Sequence, residues 1–109
     1  MKTIISFALF VLLFPATASA GEIYGTIKEG TRLVGQGIKI EIASGGSIYS
    51  TETDKYGSYR LFVKERGKCQ LRVLFGQQSP SIEIASYDRS VRYDLALEKK
   101  DGNYALRRE

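Results

Sequence analysis

Apolar and polar side chains alternate along most of the chain beyond residue 20, and this two-residue period predicts β-strands. Between residues 37 and 43, for example, isoleucines at every second position alternate with a lysine and a glutamate. Short segments rich in Gly, Asp, Ser and Pro separate the alternating runs and predict turns. No window has the 3.6-residue period of a helix. The predicted strands cover residues 22–28, 37–43, 47–53, 58–63, 68–75, 81–85 and 90–98.

Seven short strands at this spacing predict one all-β domain, an antiparallel sandwich of two sheets. In six of these strands one side is apolar and should face the opposite sheet, while Arg60, Arg92 and Asp94 fall on the outward side. The pattern leaves the side-chain directions in residues 47–53 open. The predicted inward positions are Ile23, Gly25, Ile27, Ile38, Ile40, Ile42, Tyr59, Leu61, Val63, Cys69, Leu71, Val73, Phe75, Ile82, Ile84, Val91, Tyr93, Leu95 and Leu97.

The last eleven residues lose the alternation, so the predicted domain spans residues 21–98 and a polar C-terminal tail covers residues 99–109. Asp101, Gly102 and Asn103 form a turn signal within this tail. The tail therefore either frays or folds back as an edge strand through Tyr104 and Leu106.

The segment TDKYGSY at residues 53–59 predicts a tight turn that leads into a strand. The Asp54 side chain can accept a hydrogen bond from the backbone N–H two residues on, and Gly57 can adopt a positive φ at no steric cost. Tyr59 is then the first large inward residue of the strand. Asp54 and Gly57 are therefore predicted to be structural turn residues.

The first 20 residues have the pattern of a cleaved signal peptide. Lys2 supplies the positive charge, residues 4–14 are apolar, and Ala18 and Ala20 place small side chains at the cleavage positions. The apolar run is shorter than the ~20 residues that a membrane-spanning helix needs. We expect cleavage before Gly21 and a periplasmic or secreted product without stable membrane insertion; an uncleaved anchor is the less favoured alternative.

Composition excludes several classes of function. The chain carries a net charge of +4, but its 16 basic and 12 acidic residues are interspersed, unlike the positive stripe of a nucleic-acid-binding domain. It has no histidine and one cysteine, which leaves almost no means of building a transition-metal site, a Ser–His–Asp triad or a Cys–His pair. Glu52 and Asp54 are too few ligands for Ca²⁺. We expect no catalytic residue, no metal and no cofactor.

The single cysteine, Cys69, lies on the same side of its predicted strand as Leu71, Val73 and Phe75. This placement favours a buried thiol that acts as a small apolar side chain. The alternatives are an intermolecular disulfide and a reactive thiol, since one cysteine cannot form an internal bridge. The absence of any histidine to act as a base favours the core position.

Four motifs, in order, carry a resemblance to a known family: GEIYGTI at residues 21–27, GIKI at 37–40, TDKYGSY at 53–59 and GKCQLRV at 67–73. Together they are similar to the carboxypeptidase regulatory-like domain, a seven-stranded transthyretin-like (prealbumin-like) and Cna-B-like β-sandwich of immunoglobulin-like architecture. Cys69 stands where that family usually has an aromatic residue. The resemblance implies the fold and a non-catalytic accessory role. It implies no site residues, because the shared motifs are structural.

Binding is therefore the predicted function. Tyr24, Tyr49, Tyr56 and Tyr87 fall on outward faces or in loops, where aromatic rings can anchor peptides or stack on sugars. Tyrosine is also a favoured strand residue, so a purely structural role is the alternative reading of each. We expect a module that contacts an envelope or extracellular protein through a sheet edge or these tyrosines. The alternative is a carbohydrate-binding module of starch-binding-like fold.

Overall fold

The computed structural model describes residues 21–109, and all regular structure within them is β. The predicted signal peptide, residues 1–20, lies outside the described residues. Within residues 21–109 no helix is long and apolar enough to cross a membrane. The strands of this part of the chain are β1 (Glu22–Glu29), β2 (Arg32–Leu33), β3 (Lys39–Ser44), β4 (Ser47–Glu52), β5 (Ser58–Phe62), β6 (Gly67–Leu74), β7 (Ser81–Ser86), β8 (Val91–Arg92), β9 (Leu95–Lys100) and β10 (Asn103–Arg108).

The strands form two sheets around a shared core. The smaller sheet has the order β4-β3-β6-β7, and all its pairings are antiparallel. In the larger sheet β1 is central. It pairs with β5 and β2 on one side and with β8 and β9 on the other, and β10 pairs with β9. The predicted all-β sandwich of two sheets is confirmed.

The larger sheet departs from the prediction in strand number and strand direction. β8 and β9 run parallel to β1, so this sheet is mixed rather than antiparallel throughout. The single strand predicted over residues 90–98 is divided into β8 and β9, and the prediction of seven strands did not include β2 or β10. Side chains alternate in the same way in parallel and antiparallel strands, so the sequence pattern carried no information on direction.

The C-terminal segment forms an edge strand, the second of the two arrangements that the sequence allowed. β9 continues to Lys100, and β10 then pairs antiparallel with it, Tyr104 opposite Lys99 and Leu106 opposite Leu97. The turn between them places Asp101 at a φ of +54° and Gly102 at +84°. The domain boundary predicted at residue 98 therefore falls inside β9.

The inward rows of both sheets meet in one core. Ile38, Phe75, Ile82 and Val91 were predicted to be inward but are only partly buried at its margin. Val34 is buried although it lay outside every predicted strand, and its N–H donates to the Ile27 carbonyl at 3.0 Å. The buried apolar residues that the pattern predicted are Ile23, Ile27, Ile40, Ile42, Tyr59, Leu61, Val63, Cys69, Leu71, Val73, Ile84, Tyr93, Leu95 and Leu97.

The turn between β4 and β5 is organised by Asp54. Its Oδ1 accepts hydrogen bonds from the backbone N–H groups of Tyr56 at 2.9 Å and Ser58 at 3.0 Å. Gly57 has a φ of +73°, and a Cβ at this position would lie 2.8 Å from the Val34 carbonyl oxygen. The turn thus fixes where β5 begins, and with it the position of Tyr59 and Arg60.

Cys69 lies in the core with 5% of its surface exposed, as the pattern favoured. Burial raises the pKa of its thiol above the ordinary value. The thiolate is the reactive form of cysteine, so this residue is poorly placed for chemistry at neutral pH.

Candidate binding site

An open cleft of about 590 Å³ lies on the outer side of the larger sheet, beside the edge strand β4 of the smaller sheet. Its volume falls within the ~300–1,000 Å³ typical of small-ligand sites. β1, β5 and β8 form its floor, and β4 and the following turn form one wall. The side chains that give it chemical character are Tyr24, Glu52, Asp54, Arg60 and Arg92.

Tyr24 lies between two arginines on the floor of the cleft. Across the strands its Cα pairs with Arg60 of β5 on one side and with Arg92 of β8 on the other. Side chains at paired positions point to the same face of a sheet, so the three form a row. The Arg92 guanidinium carbon lies 5.9 Å from the Tyr24 ring centroid, at the outer limit of a cation–π contact.

Each arginine is paired with a carboxylate on the same face. Arg60 Nε lies 2.7 Å from a Glu22 carboxylate oxygen, and Arg92 Nε lies 3.0 Å from Asp94 Oδ2. Both guanidinium groups are largely exposed, so the two pairs contribute little to stability. Each pairing does restrict the direction in which its guanidinium points. The row therefore presents an aromatic ring flanked by two oriented groups of hydrogen-bond donors.

Asp94 occupies a break in the parallel ladder between β1 and the β8–β9 segment. The residue offset of the pairing is the same on both sides of the break, from Ile23 opposite Val91 to Ile27 opposite Leu95. In an unbroken parallel ladder the Thr26 N–H would donate to the Tyr93 carbonyl. Here it donates instead to Asp94 Oδ1 at 3.0 Å, and the Thr26 hydroxyl donates to the same oxygen at 3.2 Å.

The Tyr93 carbonyl, released from the ladder, turns toward the core. It accepts a hydrogen bond from the buried Tyr59 hydroxyl at 2.7 Å. Gly25 makes room for this turn, because a Cβ at that position would overlap the Tyr93 carbonyl oxygen. Both backbone groups removed from the ladder therefore find side-chain partners, as buried polar groups require. Burial, followed by the charge of Asp94, raises the pKa of Tyr59 well above its ordinary range, so the hydroxyl stays a donor.

Carboxylates in the cleft and beside it outnumber its arginines, although the chain as a whole is basic. Partial burial acts to raise the pKa of Asp94, but the hydrogen bonds from Arg92 and Thr26 outweigh it and hold that pKa below the usual value. Asp94 is therefore ionised at neutral pH. Among the lining residues and their ion-pair partners, the carboxylates of Glu22, Glu52, Asp54 and Asp94 outnumber the guanidinium groups of Arg60 and Arg92.

The four tyrosines predicted as binding residues do not come together. Only Tyr24 is among the residues that line the cleft. Tyr56 is 61% exposed in the turn that follows Asp54, and Tyr87 is 44% exposed in the loop after β7, with Arg89 over its ring at 5.3 Å. Neither lines the cleft, although Tyr56 lies between two residues that do, Asp54 and Ser58.

Tyr49 departs from its predicted outward direction. Its ring packs against the core from β4, and its hydroxyl donates to Glu65 Oε1 at 2.7 Å. That hydrogen bond raises the pKa of Tyr49 and lowers the pKa of Glu65. Tyr49 thus ties the β4 edge to the loop between β5 and β6. The alternation within residues 47–53 was too irregular to indicate this direction.

The sequence did not identify Arg60, Arg92, Asp94 and Glu22 as part of a site. The first three were predicted to point outward, which was the only available signal. Their proximity to Tyr24 depends on pairings between residues 36 and 68 positions apart in the chain, which no local pattern reveals. Within residues 21–109 no group of three or more His, Cys, Asp or Glu side chains is arranged to hold a metal ion.

Comparison with known proteins supports the fold and goes no further. No protein-family model and no curated protein matches the chain. A crystal structure of a candidate carbohydrate-binding protein from Bacteroides uniformis is similar to it, with a TM-score of 0.53 and 18% sequence identity over 84% of this chain. The match covers 54% of that protein, so the chain spans about half its length. The resemblance to the carboxypeptidase regulatory-like domain stays a prediction.

Proposed function

We propose that this chain is an exported, non-catalytic binding module, and that the cleft around Tyr24 takes a carbohydrate. The observation that carries the proposal is the row of Arg60, Tyr24 and Arg92 on the floor of a cleft of ligand-binding size. An aromatic ring flanked by hydrogen-bond donors matches the two surfaces of a sugar, which has apolar C–H faces and a rim of hydroxyl groups.

The wall formed by β4 and the following turn adds hydrogen-bond acceptors. Glu52 and Asp54 can accept hydrogen bonds from sugar hydroxyl groups, while the arginines donate to them. A ligand site typically combines apolar surface with a few polar groups that fix orientation, and this cleft has both. The solved structure from Bacteroides uniformis, described as a candidate carbohydrate-binding protein, supports the same ligand class.

The test is a glycan microarray followed by isothermal titration of any bound glycan, with Tyr24→Ala as the decisive variant. We expect at least a tenfold loss of affinity for Tyr24→Ala, because its ring supplies the aromatic surface between the two arginines. Tyr87→Ala is the matched control, since Tyr87 is exposed but lies outside the cleft lining, and it should bind like the parent protein. Circular dichroism should show the same fold for both variants.

Two results would refute carbohydrate binding at this cleft. One is the absence of any glycan ligand for the parent protein. The other is glycan binding that survives in Tyr24→Ala but is lost in Tyr56→Ala or Tyr87→Ala, which would place the site in the tyrosine-bearing loops.

Contact with a protein partner through a sheet edge is the second candidate, and the composition of β4 favours it. β4 is an edge strand of the smaller sheet, contains neither lysine nor proline, and exposes 64% of Ile48. Lysine and proline commonly protect the edge strands of natural sheets, and an unprotected edge can pair with an extended segment of another chain. Ile48→Lys should abolish co-purification with an envelope protein without changing glycan binding. Partner capture that is unaffected by Ile48→Lys would exclude this edge.

A further inference from the structure

We infer that the cleft selects uncharged glycans, with Arg60 and Arg92 acting as hydrogen-bond donors and not as anion receptors. This inference rests on the proposed carbohydrate function and specifies its ligand class. A basic chain with two arginines in its cleft would ordinarily suggest an anionic ligand, such as a uronic-acid or sulfated polymer. The arrangement of charges around Tyr24 points the other way.

The positive charges of both arginines are matched locally. Arg60 is paired with Glu22 at 2.7 Å and Arg92 with Asp94 at 3.0 Å, and all four side chains lie on the same face of the sheet. An anionic ligand that bound either guanidinium would have to approach, or displace, a carboxylate already in contact with it. Like charges brought this close cost binding free energy, because their repulsion is only partly screened near a protein surface.

The other wall adds two further carboxylates. Glu52 and Asp54 face the same cleft, and no lysine lies among its lining residues. The side chains that line the cleft balance in charge, two carboxylates against two guanidinium groups, and the ion-pair partners Glu22 and Asp94 place two more carboxylates beside the arginines. The overall charge of +4 therefore describes the rest of the surface and not the cleft.

The arginines nevertheless retain donors for a neutral ligand. Each shares its Nε with a carboxylate, and a guanidinium has four more N–H donors on its terminal nitrogens. Paired carboxylates hold these donors on either side of the Tyr24 ring, where the hydroxyl groups of a stacked sugar would lie. Donors from the arginines and acceptors from Glu52 and Asp54 suit hydroxyl groups, which can both donate and accept.

The experiment is isothermal titration of three sets of probes: neutral hexasaccharides of α- and β-linked glucose and mannose, the anionic polymers polygalacturonate and hyaluronan, and chitosan hexamer as the cationic probe. We expect at least one neutral oligosaccharide to bind at least tenfold more tightly than every charged probe. Its affinity should change by less than about twofold between 50 and 500 mM NaCl, because no net charge is neutralised on binding.

Glu52→Gln supplies a second, independent readout. Removing one carboxylate from the wall should reduce the ratio of the affinity for the neutral oligosaccharide to the affinity for the anionic probes by at least threefold. Glu98→Gln is the matched control, since Glu98 is an exposed carboxylate of β9 that pairs with Arg107 and does not line the cleft. It should leave the discrimination unchanged.

The outcomes separate this inference from the function on which it rests. Tighter, salt-sensitive binding of an anionic polymer that still requires Tyr24 would overturn the inference and leave carbohydrate binding intact. Preferred binding of chitosan hexamer would also overturn it, because the cleft would then recognise positive charge. If no glycan binds in a Tyr24-dependent manner, the proposed function fails and the inference fails with it.

Discussion

Gly25→Ala is the substitution that most directly tests the broken ladder at the base of the cleft. Gly25 lies on β1 opposite the break, and an added Cβ would overlap the carbonyl oxygen of Tyr93. That oxygen is fixed by the Tyr59 hydroxyl at 2.7 Å, and the next residue, Asp94, is fixed by Thr26. The overlap cannot be relieved by a flexible side chain, because the opposing atom belongs to the backbone.

Three effects set the magnitude. Overpacking in a well-packed core costs about 1–3 kcal/mol. Loss of the Tyr59–Tyr93 hydrogen bond would leave a buried carbonyl without a partner, at about 1–3 kcal/mol. The φ of Gly25, +158°, is one that L-residues rarely adopt, which adds backbone strain. We therefore expect a loss of at least ~3 kcal/mol, a large part of the 5–15 kcal/mol that keeps a domain folded.

Urea denaturation followed by circular dichroism measures this loss, and thermal unfolding should show a midpoint lower by about 12–24 °C for a domain of this size. Two glycines provide controls. Gly35 has open space and no positive φ, so Gly35→Ala should be near neutral. Gly46 has a φ of +86° but also open space, so Gly46→Ala should be destabilised by backbone strain alone. A Gly25→Ala variant as stable as Gly46→Ala would show that the Tyr93 carbonyl can move and that the Tyr59 hydroxyl does not hold it in place.

Three further predictions follow from the same region and from the core. Tyr59→Phe should lower the free energy of unfolding by about 1–3 kcal/mol, because it leaves the buried Tyr93 carbonyl without a hydrogen-bond donor. Tyr104→Phe removes only an exposed hydrogen bond to Glu29 and should change the free energy of unfolding by no more than about 0.5 kcal/mol. Equal losses of stability in the two variants would show that the Tyr59–Tyr93 hydrogen bond does not stabilise the fold. The folded-state pKa of Asp94 is lowered, so its stabilising contribution is present above its unfolded value near pH 4 and is lost as the pH falls through the folded pKa. An acid titration of stability should therefore be flatter in Asp94→Asn, and an unchanged slope would refute this role. Maleimide should modify the buried Cys69 thiol slowly in the native protein and rapidly in urea, while fast native labelling would show that the thiol is accessible.

The amino-acid pattern alone was sufficient to predict the sandwich and nearly all of its core. Side chains in a strand alternate between its two faces, so the isoleucines of β3 and the Leu71–Val73 pair of β6 had to share one buried side whatever their partners. The turn at Asp54 is equally local, since its side chain and the φ of Gly57 act within five residues. The burial of one strand face and the geometry of a turn both depend on residues that are close together in the chain, so a local sequence pattern can predict them.

The cleft had no such local signature, and only the tertiary structure assembled it. The sequence predicted that Tyr24, Arg60 and Arg92 each point outward. It could not predict which strands pair with β1 or in which direction they run, because the alternation of side chains is the same for every pairing. The sequence equally allowed residues 99–109 to fray or to pair. Pairing between distant strands depends on the combined packing of both sheets, and that packing alone placed two arginine–carboxylate pairs around one tyrosine.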